Sequence, residues 1–134
     1  MNKLIGNIIL VESSLHMSMV DIEIDGDVFS SIVLETPDTA VYLKQGTKIA
    51  LLFKETEVSI AKNLSGLISL RNRFKGRIRA IEESKILSKI FISYKDKEII
   101  SMISTRSVQK LGLIIGDDIE WLVKTNEVSL SREQ

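Results

Sequence analysis

Residues 69–83, SLRNRFKGRIRAIEE, carry the reading of this chain in both directions. Shifted back by 70 positions, Asn72 falls on Asn2, Gly76 on Gly6, Ile78 on Ile8 and Glu82 on Glu12. The alignment runs without a gap from residue 2 to residue 62. It passes through Ser31/Ser101, Leu43/Leu113, Gly46/Gly116 and Lys54/Lys124, and places Glu57-Val58-Ser59 on Glu127-Val128-Ser129. An ungapped register of this length marks a duplicated small domain, and the period is too long for a solenoid unit. The copies are residues 1–64 and 65–134. A linker from Ala61 to Ser69 joins them, with Asn63, Ser65 and Gly66 as turn formers.

Each copy reads as mostly β. Residues 2–13 and 72–83 are long strands with a glycine near the start, where a bulge or tight bend is expected. Residues 18–24 and 88–94 alternate apolar and polar in the strand manner. Asp25-Gly26-Asp27 is a hairpin turn into strand 28–34, and Lys95-Asp96-Lys97 is its weaker counterpart. Thr36-Pro37-Asp38 predicts a helix start, with threonine as cap and proline at the first helical position. In the second copy Ser104-Thr105-Arg106-Ser107 offers hydroxyls for the same cap. The helices are expected to end near Leu43 and at Leu111-Gly112. Strands at 47–53 and 118–124 and short closing strands at 57–60 and 127–130 complete each copy. Five strands and one short helix per copy predict an all-β fold of two tandem Greek-key barrels of the oligonucleotide/oligosaccharide-binding (OB) type.

The 134 residues are 44% hydrophobic, enough for two small cores that lean on each other or on further subunits. There is no cysteine, which excludes disulfides, thiolate metal sites and cysteine nucleophiles. The N-terminal apolar run lacks a small-residue cleavage site, and no stretch approaches the length of a membrane helix, so a cytoplasmic protein with no membrane partner is expected. The net charge of zero hides an asymmetry. Residues 1–64 carry 5 basic and 9 acidic side chains, and residues 65–134 carry 13 and 9, so an anionic ligand belongs with the second copy.

No catalytic constellation is present, and the chain does not read as an enzyme. There is no Walker loop, GxSxG or HExxH pattern, and the lone His16 lies in a turn without partners at ligand spacing. Glu82-Glu83 and Asp117-Asp118 read as solvated turn residues at strand ends. The features that fit a small tetrahedral anion are hydroxyls, a forked guanidinium and free backbone N–H groups. Ser69, Arg71 and Asn72 offer them before the second long strand, Ser104 and Ser107 at the helix start, and Lys124 with Thr125 at a strand end. Each alone reads equally as a linker arginine, a helix cap or a surface lysine. Together they point to oxyanion binding, with no metal held directly by side chains.

Ser69-x-Arg71-Asn72, the basic strand with Gly76, Leu111-Gly112-Leu113 followed by Gly116-Asp117, and Lys124 followed by Glu127-Val128 resemble the Mop or TOBE domain. That family includes molbindins, which are small cytoplasmic molybdate and tungstate binders. It also includes the ligand-binding half of a molybdate-responsive regulator and an accessory domain of molybdate transporter ATPases. The resemblance implies a molybdate or tungstate ligand, used for storage, buffering or sensing. It also implies sites between subunits, with Ser69 and Arg71 from one chain meeting Ser104, Ser107 and Lys124 of a neighbour, and Thr125 offering its backbone N–H. A homo-oligomer, trimer or dimer, follows, and the trimer is favoured by likeness to free-standing double-lobe molbindins.

The first copy departs from the motif. Only Met1 precedes Asn2, Leu34 stands for Ser104, Glu35 for Thr105 and Pro37 for Ser107, so only Lys54 of the set survives. That copy is expected to be structural. Arg71, Arg73, Lys75, Arg77 and Arg79 alternate along one strand, and Asp21, Glu23 and Asp25 along another. They read either as two solvated faces or as an acidic face that pairs with a basic one, within a chain or between chains. Two other functions stay open: a basic barrel that binds nucleic acid, and an interaction module without a ligand. The first normally needs exposed stacking aromatics, and Phe74, Phe91 and Trp121 sit at core positions, so no nucleic-acid partner is expected.

Overall fold

A computed structural model of the protein describes residues 1–133. The first copy contributes β1 (Asn2–Ser14), β2 (Met17–Ile24), β3 (Asp27–Val33), β4 (Lys48–Phe53) and β5 (Ser59–Ala61). The second contributes β6 (Asn72–Glu83), β7 (Leu87–Tyr94), β8 (Lys97–Ser104), α1 (Thr105–Leu111), β9 (Asp118–Val123) and β10 (Ser129–Arg132). Single 3₁₀ turns at Glu55–Glu57 and Thr125–Glu127 precede the two closing strands. All pairing is antiparallel, in two five-stranded sheets of order β10-β4-β1-β2-β3 and β5-β9-β6-β7-β8. The closing strands have changed places: β5 completes the sheet of the second copy and β10 that of the first. The compact units are therefore Met1–Phe53 with the chain from Lys124 onward, and Lys54–Val123. They cut the chain differently from the sequence repeat at 64/65.

Each sheet curls so that its last strand returns to the segment before the exchanged one. In the first unit the buried Ser31 hydroxyl of β3 donates to the Val128 carbonyl at 2.6 Å. In the second the matching Ser101 of β8 donates to Val58 at 2.6 Å. Leu4, Ile8, Val20, Ile22, Phe29 and Leu51 fill the first barrel. In the second, Trp121 packs against Phe74 and Tyr94, each at 5.2 Å between ring centroids.

Two expectations are corrected. The bulge lies not at the glycines but after Ile8 and Ile78, where the pairing with β2 and β7 shifts by one residue. Gly6 and Gly76 are there for closeness: a Cβ on Gly76 would meet Ile92 Cγ2 at 2.5 Å, and one on Gly6 the Glu23 carbonyl at 2.5 Å. The first copy has no helix at Thr36–Leu43. Thr36 accepts from Thr39 N (3.0 Å) and Ala40 N (2.8 Å), the Thr39 hydroxyl closes back on Thr36, and the turn goes no further. In the second copy Ser104 caps the helix by accepting from Ser107 N at 3.1 Å. Leu34 has no acceptor to do the same, and Pro37 has no N–H to receive it. Several cations of the basic strand have partners close by. Arg73 pairs with Glu120, Arg77 with Asp118 and Arg79 with Glu98, all within the second unit. Carboxylates for the basic strand thus come from the adjacent β9 and, across β7, from β8.

The turn at Asp25-Gly26 is as expected. Ile24 pairs with Asp27 across two residues that both have positive φ, +48° and +91°, the geometry that suits a twisted hairpin.

Candidate functional site

Ser69 and Arg71 are exposed on the segment leading into β6. The next residue, Asn72, is fully buried and pairs in register with Val123 of β9. The ladder therefore brings the start of the Ser-x-Arg-Asn segment to the end of β9, immediately before Lys124. Lys124 is exposed and sits in extended backbone (φ −66°, ψ 146°) at the head of the 3₁₀ turn, where its carbonyl accepts from Glu127 N at 3.0 Å. Thr125 is half-buried in that turn. Asn2, the mate of Asn72, is also buried and pairs with Phe53. The asparagine is thus shared by both copies.

Ser104 and Ser107 meet at the start of the seven-residue helix. Ser104 donates to the Ser107 hydroxyl at 2.9 Å while accepting from Ser107 N, which leaves the Ser107 hydroxyl proton available for another acceptor. The residue between them that sequence reasoning undervalued is Thr105. It is 6% exposed, its N–H reaches the Ile86 carbonyl (2.8 Å), and its hydroxyl donates to Ser84 O (2.6 Å) while meeting Ser88 Oγ (2.7 Å). The repeat held the signal: Ser88 matches Ser18, but Thr105 matches Glu35. In the first copy Ser18 donates to the Glu35 carbonyl (2.6 Å), and the Glu35 carboxylate accepts from the Tyr42 hydroxyl at 2.6 Å. That phenol is pushed up to about 12, first by burial and then by its bond to Glu35. A carboxylate thus lies where the second copy offers hydroxyls, and Leu34 beside it is 79% exposed.

The basic strand is largely committed. Arg73 grips Glu120 with two nitrogens and reaches the Leu64 carbonyl, and this pairing holds the Glu120 carboxyl below its ordinary range. Lys62 of the linker donates to Asp117 Oδ2 and to the Gly112 carbonyl, both at 2.9 Å. Asp117 is lowered first by the Ile114 N–H and then by Lys62. A cavity of about 480 Å³ opens between Asn63, Arg73, Lys75 and Asp118, and the Arg73–Glu120 pair lies within it. Phe74 and Trp121 are buried, and the Arg79 guanidinium lies 5.3 Å from the centre of the Phe91 ring, so these rings are not open platforms for bases. Among the described residues no group of three or more His, Asp or Glu side chains could hold a metal ion, and no helix is long and apolar enough to cross a membrane.

The TOBE domain family matches residues 68–130. A crystal structure of the cytoplasmic molybdate-binding protein ModG, with molybdate bound, superposes with a TM-score of 0.92 at 25% identity, covering 98% of this chain and 96% of that one. Over 87 residues, 64% of this chain, the sequence is 31% identical to the molybdenum import ATP-binding proteins ModC of Brucella abortus and Brucella suis. The aligned stretch spans 24% of those relatives.

Proposed function

We infer, from the TOBE domain that occupies residues 68–130 and from a fold shared with ModG over nearly the whole chain, that this protein is a non-enzymatic molybdate-binding member of the molbindin-like family. The observation that carries the reading is the likeness to molybdate-bound ModG, which extends over both copies and leaves almost nothing of either chain unmatched. The site we propose uses Ser69 and Arg71 from one chain and Ser104, Ser107, Lys124 and the Thr125 N–H from a neighbour in a homo-oligomer, trimer or dimer. Asn72 holds the strand start on which Arg71 is carried. Arg71 and Lys124 offset the two charges of the dianion, and hydroxyls and N–H groups complete its oxygens. Exposure of Ser69, Arg71, Ser104 and Lys124 supports this assignment, since groups that meet a ligand at an interface must be open in the single chain. Tungstate, of the same shape and charge, is expected to bind as well. Sulfate is expected to be rejected by cavity size. A cytoplasmic role in storage, buffering or sensing fits such a binder.

Calorimetric titration with molybdate, tungstate and sulfate in moderate salt tests the reading. Saturable binding of the first two and none of the third is expected. Equal heats for all three, or none for any, would remove it.

A further inference from the structure

We propose that the first unit holds a second anion site, complete within one unit, that takes a phosphate group between Lys44, Thr47, Lys48 and Arg132. One turn carries opposite charge in the two copies. In the second unit the turn before β9 carries Asp117, whose carboxylate accepts from Lys62 Nζ at 2.9 Å and from Ile114 N at 3.0 Å. That arrangement is an anion site already filled by the protein's own carboxylate. In the first unit the backbone of the same turn is unchanged. Ile8 N donates to Thr47 O (2.9 Å) and Gly46 N to Ile8 O (2.7 Å), as Ile78 N does to Asp117 O (2.9 Å) and Gly116 N to Ile78 O (2.8 Å).

The side chains differ. Thr47 replaces Asp117, Lys48 replaces Asp118, Lys44 replaces Ile114, and Arg132 stands where Lys62 does. Strand exchange makes that last correspondence physical, because β10 brings Arg132 opposite Ile49 as the chain beyond β5 brings Lys62 to Asp117. The first unit thus keeps the cation, loses both carboxylates and gains two lysines. Lys44, Lys48 and Arg132 line a cavity of about 240 Å³ with Tyr42 and Glu133. Among the described residues Glu133 is the one carboxylate in that lining, and it lies 3.6 Å from Lys3 Nζ outside it. Thr47 also lines the cavity, and its hydroxyl is turned away from solvent with no hydrogen-bond partner among the described residues. A buried hydroxyl without a partner is costly, and rotation of the Thr47 side chain toward an acceptor oxygen in the cavity would relieve that cost. Three cations against one carboxylate match a phosphate group of nearly two negative charges, and the Arg132 fork can take two of its oxygens. The cavity also has room for a small substituent on the phosphate.

The test is titration of the full chain, free of molybdate and then saturated with it, with inorganic phosphate and with glycerol 3-phosphate. Saturable binding that persists in the presence of molybdate is expected. Thr47→Asp, which writes the second copy's carboxylate into the first, should pair with Arg132 and weaken phosphate about tenfold or more. Lys44→Gln, in a turn outside the ladders, should weaken it while leaving molybdate affinity unchanged. Tighter binding of the ester than of free phosphate would assign the site to a phosphorylated small molecule, and equal or weaker binding to the free ion. The proposal is overturned by no saturable binding of either up to about 10 mM. Binding unchanged in both Thr47→Asp and Lys44→Gln, or displaced by molybdate and lost in Arg71→Ala, would also overturn it.

Discussion

Lys54 and Lys124 occupy the same place in the repeat and the same extended backbone, with φ and ψ of −73° and 147° against −66° and 146°. Their surroundings differ. Thr125 follows Lys124 where Glu55 follows Lys54, and the helix start has Ser104 and Ser107 where the first copy has Leu34 and Pro37. Losing a charged donor from an enclosed anion site costs about 2–3 kcal/mol, or roughly 30- to 150-fold in affinity. Arg71→Ala and Lys124→Ala should each weaken molybdate by that factor, whereas Lys54→Ala should leave it within about twofold. Titration of the three variants side by side checks this. Equal losses for the two lysines would mean that the ligand is not confined to the second copy's residues.

At the scale of the element, the helix and the β6–β9 ladder carry measurable consequences. Ser104 is both the cap of α1 and a proposed ligand group, and the two roles separate by substitution. Ser104→Ala should lower stability by about 1 kcal/mol, while Ser104→Gly should cost only a few tenths, and both should weaken molybdate alike. Thermal melts beside titrations distinguish the roles. The ladder predicts a pH dependence. Arg73 holds the Glu120 carboxyl below its usual value of 4.5, so the stabilisation is complete above that value and is lost as pH falls through the lowered one. Asp117, held down by Ile114 N and Lys62, acts in the same direction. Melting temperature should therefore drop as pH is taken from 7 to about 3, and Glu120→Gln should flatten that slope while lowering stability at neutral pH. An unchanged slope in the variant would show that the Arg73–Glu120 pair does not couple to folding.

For the whole molecule, the exchange of β5 and β10 makes neither copy a domain in the sequence sense. A chain ended after Val123 would lack β10, leaving β4 with an open edge and Ser31 without the Val128 carbonyl. Hydrogen exchange on that truncated chain should show loss of protection in β3 and β4 with β6, β7 and β9 retained. Protection lost equally in both units would show that they fold as one cooperative body. Assembly is the other property at this scale. Light scattering at micromolar concentration with molybdate present should give a mass above that of one chain, and a monomer would remove the shared site.

Much of this was legible in the residues. The ungapped repeat, the strand alternation and the Asp25-Gly26 turn are local signals. The asymmetry of the proposed site is written in Leu34 and Pro37, which stand where Ser104 and Ser107 do. Three things were decided only when the chain closed. The closing strands at 57–60 and 127–130 have matching patterns, so either could complete either sheet, and only the path of the chain selects the exchange. The helix signal at Thr36-Pro37 was real but short. With no capping hydroxyl at Leu34 and no N–H at Pro37, the first turn lacks the cap that starts the equally short α1, and the Thr39 hydroxyl closes the turn instead. The partners of the basic strand depend on register, which sets Arg77 opposite Asp118 and puts Glu120 opposite Lys75, one diagonal step from the Arg73 that grips it. Alternation tells which residues share a face, but only the pairing of strands tells which charges meet.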